Sequence, residues 1–388
     1  MDAVNHMSHD FTTQDPTGLY EGLDRVASPS LLFDADAIDR NIQRMIDIAG
    51  GRTDLLRPHM KTHKCAEILK LQIKAGIDRI KCATIAEAEL AAMSGVADVL
   101  LSYPLVGPNA ERFSALGKAY PDTTFATIAD SPEGVLSLAS FASPEHPVRL
   151  FLDLDCGMHR TGIGATEAAV DLVRQIQQNA SLQFAGIHAY DGHIHDASIE
   201  ARRTAFSAAM EVLGELLQRF AAEKIEVPLI VSGGSPTFAL HAEKAMSADR
   251  PWQCSPGTTL LWDAGYGTHY PDLAFDPAAF LLTRVVSHPG ETTICGDLGN
   301  KAVSAENPIE NRVRFPGVPV VRFVGQSEEH LVIEISDREK YPVGTELLGI
   351  PYHVCPSVAL YQRARILRSG EVTEEEWEIA ARDRRLTV

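Results

Sequence analysis

Between residues 55 and 261 the chain repeats one pattern: a short apolar run, a turn, then an amphipathic stretch. The runs fall at 55–61, 79–84, 98–102, 123–128, 148–155, 182–190, 228–232 and 253–260. Runs this short and apolar suit strands covered on both faces, as in parallel sheets. The stretches 65–75, 86–93, 166–179 and 201–224 space their apolar residues at helical period. Val170, Leu172, Val173 and Ile176, for example, share one face. Gly76 and Gly95 stand where helix C-caps fall. Eight strand–helix alternations predict a (β/α)8 barrel of the α/β class, with a doubly wound open sheet as the competing arrangement.

The flanks follow another rhythm. Residues 30–34 read as a strand. Residues 36–48 read as a helix with Ile38, Ile42, Met45 and Ile46 on one face, stopped by Gly50-Gly51. After about Pro277, short strands broken by Pro and Gly are expected at 281–286, 292–296, 320–325, 330–335, 346–350 and 364–368, which predicts a C-terminal all-β domain. Residues 373–384 read as a polar helix opened by a capping box of Thr373 and Glu376. The expected organisation is an N-terminal arm over 1–27, a barrel domain over 28–275 and a β domain with a terminal helix over 276–388. The leading strand and helix are counted with the barrel or joined to the β domain. Residues 1–22 lack an apolar core, so they predict a mobile arm and not a secretory signal.

Bulk properties exclude some partners. The net charge of −17 disfavours nucleic acid and anionic membranes, which need a basic face. No apolar run approaches the ~18 residues of a membrane span. The six cysteines, at 65, 82, 156, 254, 295 and 355, are scattered, the usage of reduced thiols in a cytoplasmic protein. Five suit buried small hydrophobes; Cys355 stands apart because His353 lies two residues before it.

Function in a barrel sits at the C-terminal ends of the strands, and the polar residues gather there. The first run ends at His59 and Lys61, and the fifth leads through Asp153 and Asp155 to Gly157-Met158-His159-Arg160. The sixth ends in His188-Ala189-Tyr190-Asp191-Gly192-His193-Ile194-His195, and the seventh in Ser232-Gly233-Gly234-Ser235-Pro236-Thr237. The last of these is a small-residue turn opening a helix, a good cradle for phosphate. A lysine at a strand end is ordinarily a solvated charge. Lys61 differs in having Arg57 and Lys64 as neighbours, which are placed to lower its pKa and keep an amine available for Schiff-base chemistry. In an extended segment His353 and Cys355 would point to one side and could share a metal ion, leaving positions open for water and substrate. A half-buried histidine beside a core cysteine is the plainer alternative.

Four motifs occur together and in order: Arg57-Pro58-His59-Met60-Lys61-Thr62-His63-Lys64, Asp155-Cys156-Gly157-Met158-His159-Arg160-Thr161-Gly162, Ser232-Gly233-Gly234-Ser235-Pro236-Thr237 and His353-Val354-Cys355-Pro356. In this the chain resembles the D-threonine aldolase/D-serine dehydratase family, over roughly residues 28–369. The resemblance implies an alanine racemase-like fold (fold type III), a pyridoxal 5′-phosphate (PLP) cofactor and a homodimer. It implies that Lys61 bonds the cofactor, that Arg160 lies near its ring and phenolic oxygen, and that Tyr190 lies beside it. Gly233, Gly234 and Ser235 would hold the phosphate. His353 and Cys355 would bind zinc or manganese near a D-3-hydroxy amino acid such as D-serine, D-threonine or D-3-hydroxyaspartate.

Two reactions are open to such a site. Dehydration to a keto acid and ammonia is the favoured expectation, because the His-x-Cys pair resembles dehydratase members. Retro-aldol cleavage to glycine and an aldehyde is the alternative, with His193 or His195 as candidate base. An amino-acid racemase using Tyr352 or Tyr361, or a non-enzymatic PLP carrier, would be another class. The metal pair and the β domain speak against the carrier.

Overall fold

A computed structural model describes residues 14–388. The chain forms two compact units. One holds 41–260, 269–274 and 380–388; the other holds the described residues up to Arg40, with 261–268 and 275–379.

In the first of these units seven parallel strands lie side by side in chain order: Arg79–Cys82, Asp98–Pro104, Thr124–Ala129, Val148–Leu154, Leu182–Ala189, Ile230–Ser232 and Trp252–Cys254. Helices follow the strands, including the four expected ones, which span Ala66–Lys74, Ile85–Met93, Glu167–Gln178 and Ile199–Ala222. The expected first strand, 55–61, is not a regular strand. Leu56 bridges Cys254 and His59 bridges Lys81, both in parallel, so this segment joins the two edges of the sheet and closes the ring. Pro58 is the reason the ladder stays broken, since it has no N–H. Its carbonyl still accepts from Lys81 N–H at 2.8 Å, while Arg57 N–H reaches Cys254 O at 2.8 Å. The expected strand 253–260 is likewise cut short at Cys254, and a tight turn, Thr258–Leu260, follows. Leu100, Ala126, Ile128, Phe151, Ala185 and Val231 pack together as a core of this unit.

The other unit is built on an extended, mostly antiparallel sheet. Its strand order is Val320–Gln326, Leu331–Ile335, Thr293–Gly296, Ala279–Ser287, Ser30–Asp34, Arg363–Arg368 and Glu371–Glu378. Glu346–Pro351 also pairs with Ala279–Ser287. Ser30–Asp34 thus sits inside this sheet, parallel to Arg363–Arg368 and antiparallel to Ala279–Ser287. Leu32, Phe280, Leu282, Leu348, Ile350 and Leu367 form its core.

Two expectations fail here. The arm expected over 1–27 is folded from Asp15 onward: Leu23 and Val26 are buried, and Val372 N–H donates to Glu21 O at 2.9 Å. The remainder of that expectation, residues 1–13, lies outside the described residues. The terminal helix is instead the strand Glu371–Glu378, antiparallel to Arg363–Arg368. Thr373 Oγ1 donates to Ile366 O at 3.1 Å and accepts Glu375 N–H at 3.2 Å, so it serves the hairpin. A buried Trp377 beside Ala364 anchors the pairing, and the available strand partner overrides local helix preference.

Candidate active site

The strand ends of the ring supply the cavity. Register aligns Asp153 with His188 and Ala189 with Ser232, so their side chains and the loops beyond them gather at one rim. A cavity of about 390 Å³ opens there, lined among others by His59, Lys61, Lys81, Asp153, Arg160, His188 and Tyr190. That size suits a small cofactor with its substrate.

Lys61 lies in the tight turn Met60–Thr62, whose flanking residues are fully buried while Lys61 itself faces the cavity. His59 Nδ1 accepts Lys61 N–H at 3.3 Å and fixes the turn. Arg57 and Lys64, the basic neighbours of Lys61 in sequence, are engaged by other partners. The buried Arg57 pairs with Asp98 at 2.8 Å and Gln253 at 2.7 Å, and Lys64 pairs with the buried Glu87. The cations that do share the cavity are Arg160 and Lys81, the latter only 1% exposed.

Arg160 is aimed by a loop that folds back on its own strand. Asp155 Oδ1 accepts the N–H groups of Gly157 and His159, both at 3.0 Å, and Asp155 N–H returns to Ile163 O at 3.0 Å. Burial alone would raise the Asp155 carboxyl, but these donors hold it below its usual range. Gly162 has φ +104°, and a Cβ there would meet Asp155 N at 2.5 Å, so the return needs glycine. The Arg160 guanidinium lies 5.2 Å from the Tyr190 ring centroid, and Lys81 Nζ lies 5.4 Å from the same centroid.

Asp153 and His188 form a buried pair at 2.7 Å through Nδ1, with Thr161 Oγ1 on the other carboxylate oxygen at 2.8 Å. Burial pushes the His188 pKa down; Asp153 opposes this, while Lys81 and Arg160 reinforce it. His188 Nε2 is buried without a protein partner.

The Ser232–Thr237 turn meets the Lys61 turn through Gly257. Ser235 Oγ accepts the N–H groups of Gly257 and Thr258, both at 3.0 Å, and a Cβ on Gly257 would lie 3.3 Å from His59 Cβ. With both acceptor positions taken, the Ser235 hydroxyl keeps its proton to donate. Gly233 N–H is spent on Ala189 O at 3.1 Å, so Gly233 contributes shape and not a donor. Its φ of +81° and the His241 ring 2.3 Å from its would-be Cβ exclude any side chain. Tyr190 Cε2 lies 3.1 Å from the would-be Cβ of Gly234, which brings this turn against Tyr190. Beneath it runs a buried chain: Trp252 Nε1 donates to Ser232 Oγ at 2.7 Å, Ser232 Oγ meets His241 Nδ1 at 2.9 Å, and His241 Nε2 meets Asp191 Oδ2 at 2.8 Å.

These features fit PLP. Ser255 Oγ is buried without a partner beside the glycine turn, the turn opens the helix Phe238–Ser247, and the cavity holds an amine and an arginine. The structure therefore brings Lys61, Arg160, Tyr190, Gly233, Gly234 and Ser235 into one neighbourhood. It does not bring the candidate bases there: His195 is exposed, and His193 packs against Gly157 outside the cavity lining. The sequence reading missed Lys81, hidden inside an ordinary strand pattern. A charged residue at an inward-facing strand position was the available signal.

His353 and Cys355 belong to the other unit. They do not sit in an extended segment; His353 is extended, and Cys355 lies in the first turn of the short helix Val354–Val358. The side chains still meet. Contact with Cys355 and the Glu306 carboxylate, 2.6 Å from Nδ1, raises the His353 pKa to about 9 against its burial. Asp263 fixes the segment from behind, accepting Val354 N–H at 3.0 Å, and burial raises its own pKa to about 6. Glu306 on Nδ1 leaves Nε2 for an ion, the usual carboxylate–histidine arrangement. No group of three or more His, Cys, Asp or Glu side chains able to hold a metal occurs among the described residues.

Residues 33–259 match the family description "Alanine racemase, N-terminal domain", and 278–367 match "Putative serine dehydratase domain". The chain is 30% identical to the 3-hydroxy-D-aspartate aldolase of Paracoccus denitrificans (strain Pd 1222) over 92% of each chain. The chain belongs to the D-threonine aldolase/D-serine dehydratase family. This family is PLP-dependent, and its relatives named here are lyases. The D-threo-3-hydroxyaspartate dehydratase of Delftia sp. (strain HT23) is 22% identical over 90% of this chain and 95% of its own. Among solved structures, D-threonine aldolase from Filomicrobium marinum superposes with a TM-score of 0.83 at 26% identity, covering 93% and 96% of the two chains. The alanine racemase-like fold expected from the sequence is thus the fold of the family. No helix among the described residues is long and apolar enough to cross a membrane.

Proposed function

We propose that this chain is a PLP- and divalent-metal-dependent lyase that cleaves D-3-hydroxy amino acids to glycine and an aldehyde. The observation that carries the choice of reaction is the 30% identity to a 3-hydroxy-D-aspartate aldolase along 92% of the chain, against 22% for the dehydratase. Bound PLP supplies an electron sink for negative charge at the substrate Cα.

The protein's own residues have separable tasks. Lys61 would anchor the cofactor through Nζ, and the same nitrogen could hold and move a proton. Arg160 and Tyr190, whose guanidinium and ring lie 5.2 Å apart, would hold the cofactor ring between them and the rest of the cavity. Gly233 and Gly234 would shape the turn for the phosphate, and the Ser235 hydroxyl, which already accepts from Gly257 and Thr258 N–H, would donate to it. His188, neutral because of its burial, offers Nε2 as an acceptor while Asp153 holds the ring still. His353 Nε2 and the Cys355 thiolate are the ligands for zinc or manganese, and an ion there polarises a hydroxyl.

Dehydration is the second reading, and the His353/Cys355 pair favours it, because that pair resembles dehydratase members. One assay separates the two. The protein is loaded with PLP and Mn²⁺ or Zn²⁺ and given D-threonine, D-serine and D-3-hydroxyaspartate. Glycine with aldehyde supports the cleavage; ammonia with keto acid and no glycine overturns it. Racemisation needs no metal, so interconversion of D- and L-amino acid that survives chelation, with neither glycine nor keto acid formed, would refute both readings. The family resemblance also supports a homodimer, and the scattered cysteines suit the cytoplasm; a monomeric mass in sedimentation would refute the dimer.

A further inference from the structure

Lys81 is the charged group for which the reading above has no task. It is 1% exposed, its strand turns it into the cavity, and its N–H is locked to Pro58 O at 2.8 Å. Among the described residues no carboxylate lies within 4.0 Å of its Nζ, and its partner there is the Tyr190 ring at 5.4 Å. An ammonium buried without an anion is strongly disfavoured. The cavity also contains Lys61 and Arg160, while its carboxylate Asp153 is already engaged by His188 and Thr161. The cavity therefore carries surplus positive charge around Tyr190, suited to an anionic oxygen that arrives with a ligand.

We propose that Lys81 is a second cofactor-binding amine, whose Nζ pairs with the phenolate oxygen of bound PLP alongside Arg160. This rests on the assignment of PLP to the cavity. The position argues for the cofactor and not the substrate. Lys81 is level with His59 in the ring register, two residues before Lys61, and it interacts with both Lys61 and Arg160. Lys61 and Arg160 disfavour its charge and Asp191 and Asp153 favour it, while the buried His59 and His188, whose own pKa values Lys81 helps to lower, and the Tyr190 ring complete its titratable surroundings in the cavity. Burial, then Lys61, brings its pKa down to about 7 in the unliganded chain. Pairing with a phenolate raises it again and keeps the cation in place at neutral pH.

The test is the pH titration of the visible band of the PLP-loaded enzyme, with Lys81→Met, Lys81→Gln and Lys81→Arg. A cation beside the phenolate and the Lys61 nitrogen favours proton loss from that nitrogen. Its removal in Met and Gln variants should move the midpoint upward by about one pH unit and weaken PLP binding about tenfold. Lys81→Arg should keep the midpoint near the native value, which a merely space-filling role would not produce. An unchanged midpoint and affinity in both neutral variants overturns the proposal. So does an unchanged midpoint with a tenfold higher KM for D-3-hydroxyaspartate, which would assign Lys81 to a substrate carboxylate. If the native chain forms no visible band with PLP, the cofactor assignment itself fails, a result distinct from either. Should the Met variant not fold, the Gln and Arg pair carries the same comparison.

Discussion

Gly233→Ala tests the phosphate turn where its geometry is least forgiving. A Cβ at this position would sit 2.3 Å from His241 Cδ2 at φ +81°. The left-handed backbone costs alanine about 1–2 kcal/mol. The His241 ring cannot swing aside cheaply, because Ser232 and Asp191 hold its two nitrogens at 2.9 and 2.8 Å. Breaking the bond to the charged Asp191 costs about 1.5–3 kcal/mol more, so the apo-protein should lose about 2.5–5 kcal/mol. The ligand side should suffer too. A cofactor present at a hundred times its Kd stabilises the native chain by about 2.7 kcal/mol, and a distorted cradle forfeits much of that. Urea unfolding followed by circular dichroism, with and without PLP, reads both effects. A variant whose unfolding midpoint and PLP-induced shift match the native protein would refute the account of the turn.

Three further outcomes follow from the site. Lys61→Ala should abolish the visible PLP band while leaving the fold intact, and a persistent band would remove Lys61 from its role. His353→Ala should behave like chelator treatment, losing turnover but not the PLP band; Mn²⁺ or Zn²⁺ should restore the chelated native enzyme only, and full turnover by the variant would refute the metal assignment. His63 is fully buried and pushed by that burial down to about 3, so the folded state stays neutral where the unfolded chain takes a proton. Its contribution is complete above about pH 6.5 and is lost as pH falls toward its folded value, at about 1.4 kcal/mol per pH unit. His63→Gln should reduce the acid-side slope of stability against pH by about one proton, and an unchanged slope would contradict this.

Local periodicity was enough for much of the architecture. The strand Ser30–Asp34 and the helix Glu167–Gln178 were readable because the residues that bury them recur at strand or helix period. Lys61 and the glycine turn were readable because both follow short apolar runs, where barrel strands end. The segment 373–384 was misread because Thr373 and Glu376 form a helix signal over four residues, whereas the strand depends on Arg363–Arg368 lying alongside. The expected bases failed for a similar reason. His193 and His195 follow a strand end, but the loop's return path decides which side chains enter the cavity.

By itself the sequence determined the succession of buried strands and helices, and the supply of amines, hydroxyls and glycines at their ends, since both depend on neighbours a few residues apart. Only the tertiary structure decided how charge is shared at the rim. Closure of the ring puts Lys81 beside Lys61 and pairs Arg57 with Asp98, contacts spanning 20 and 41 residues, and electrostatic energies follow distance in space and burial, which local pattern does not encode.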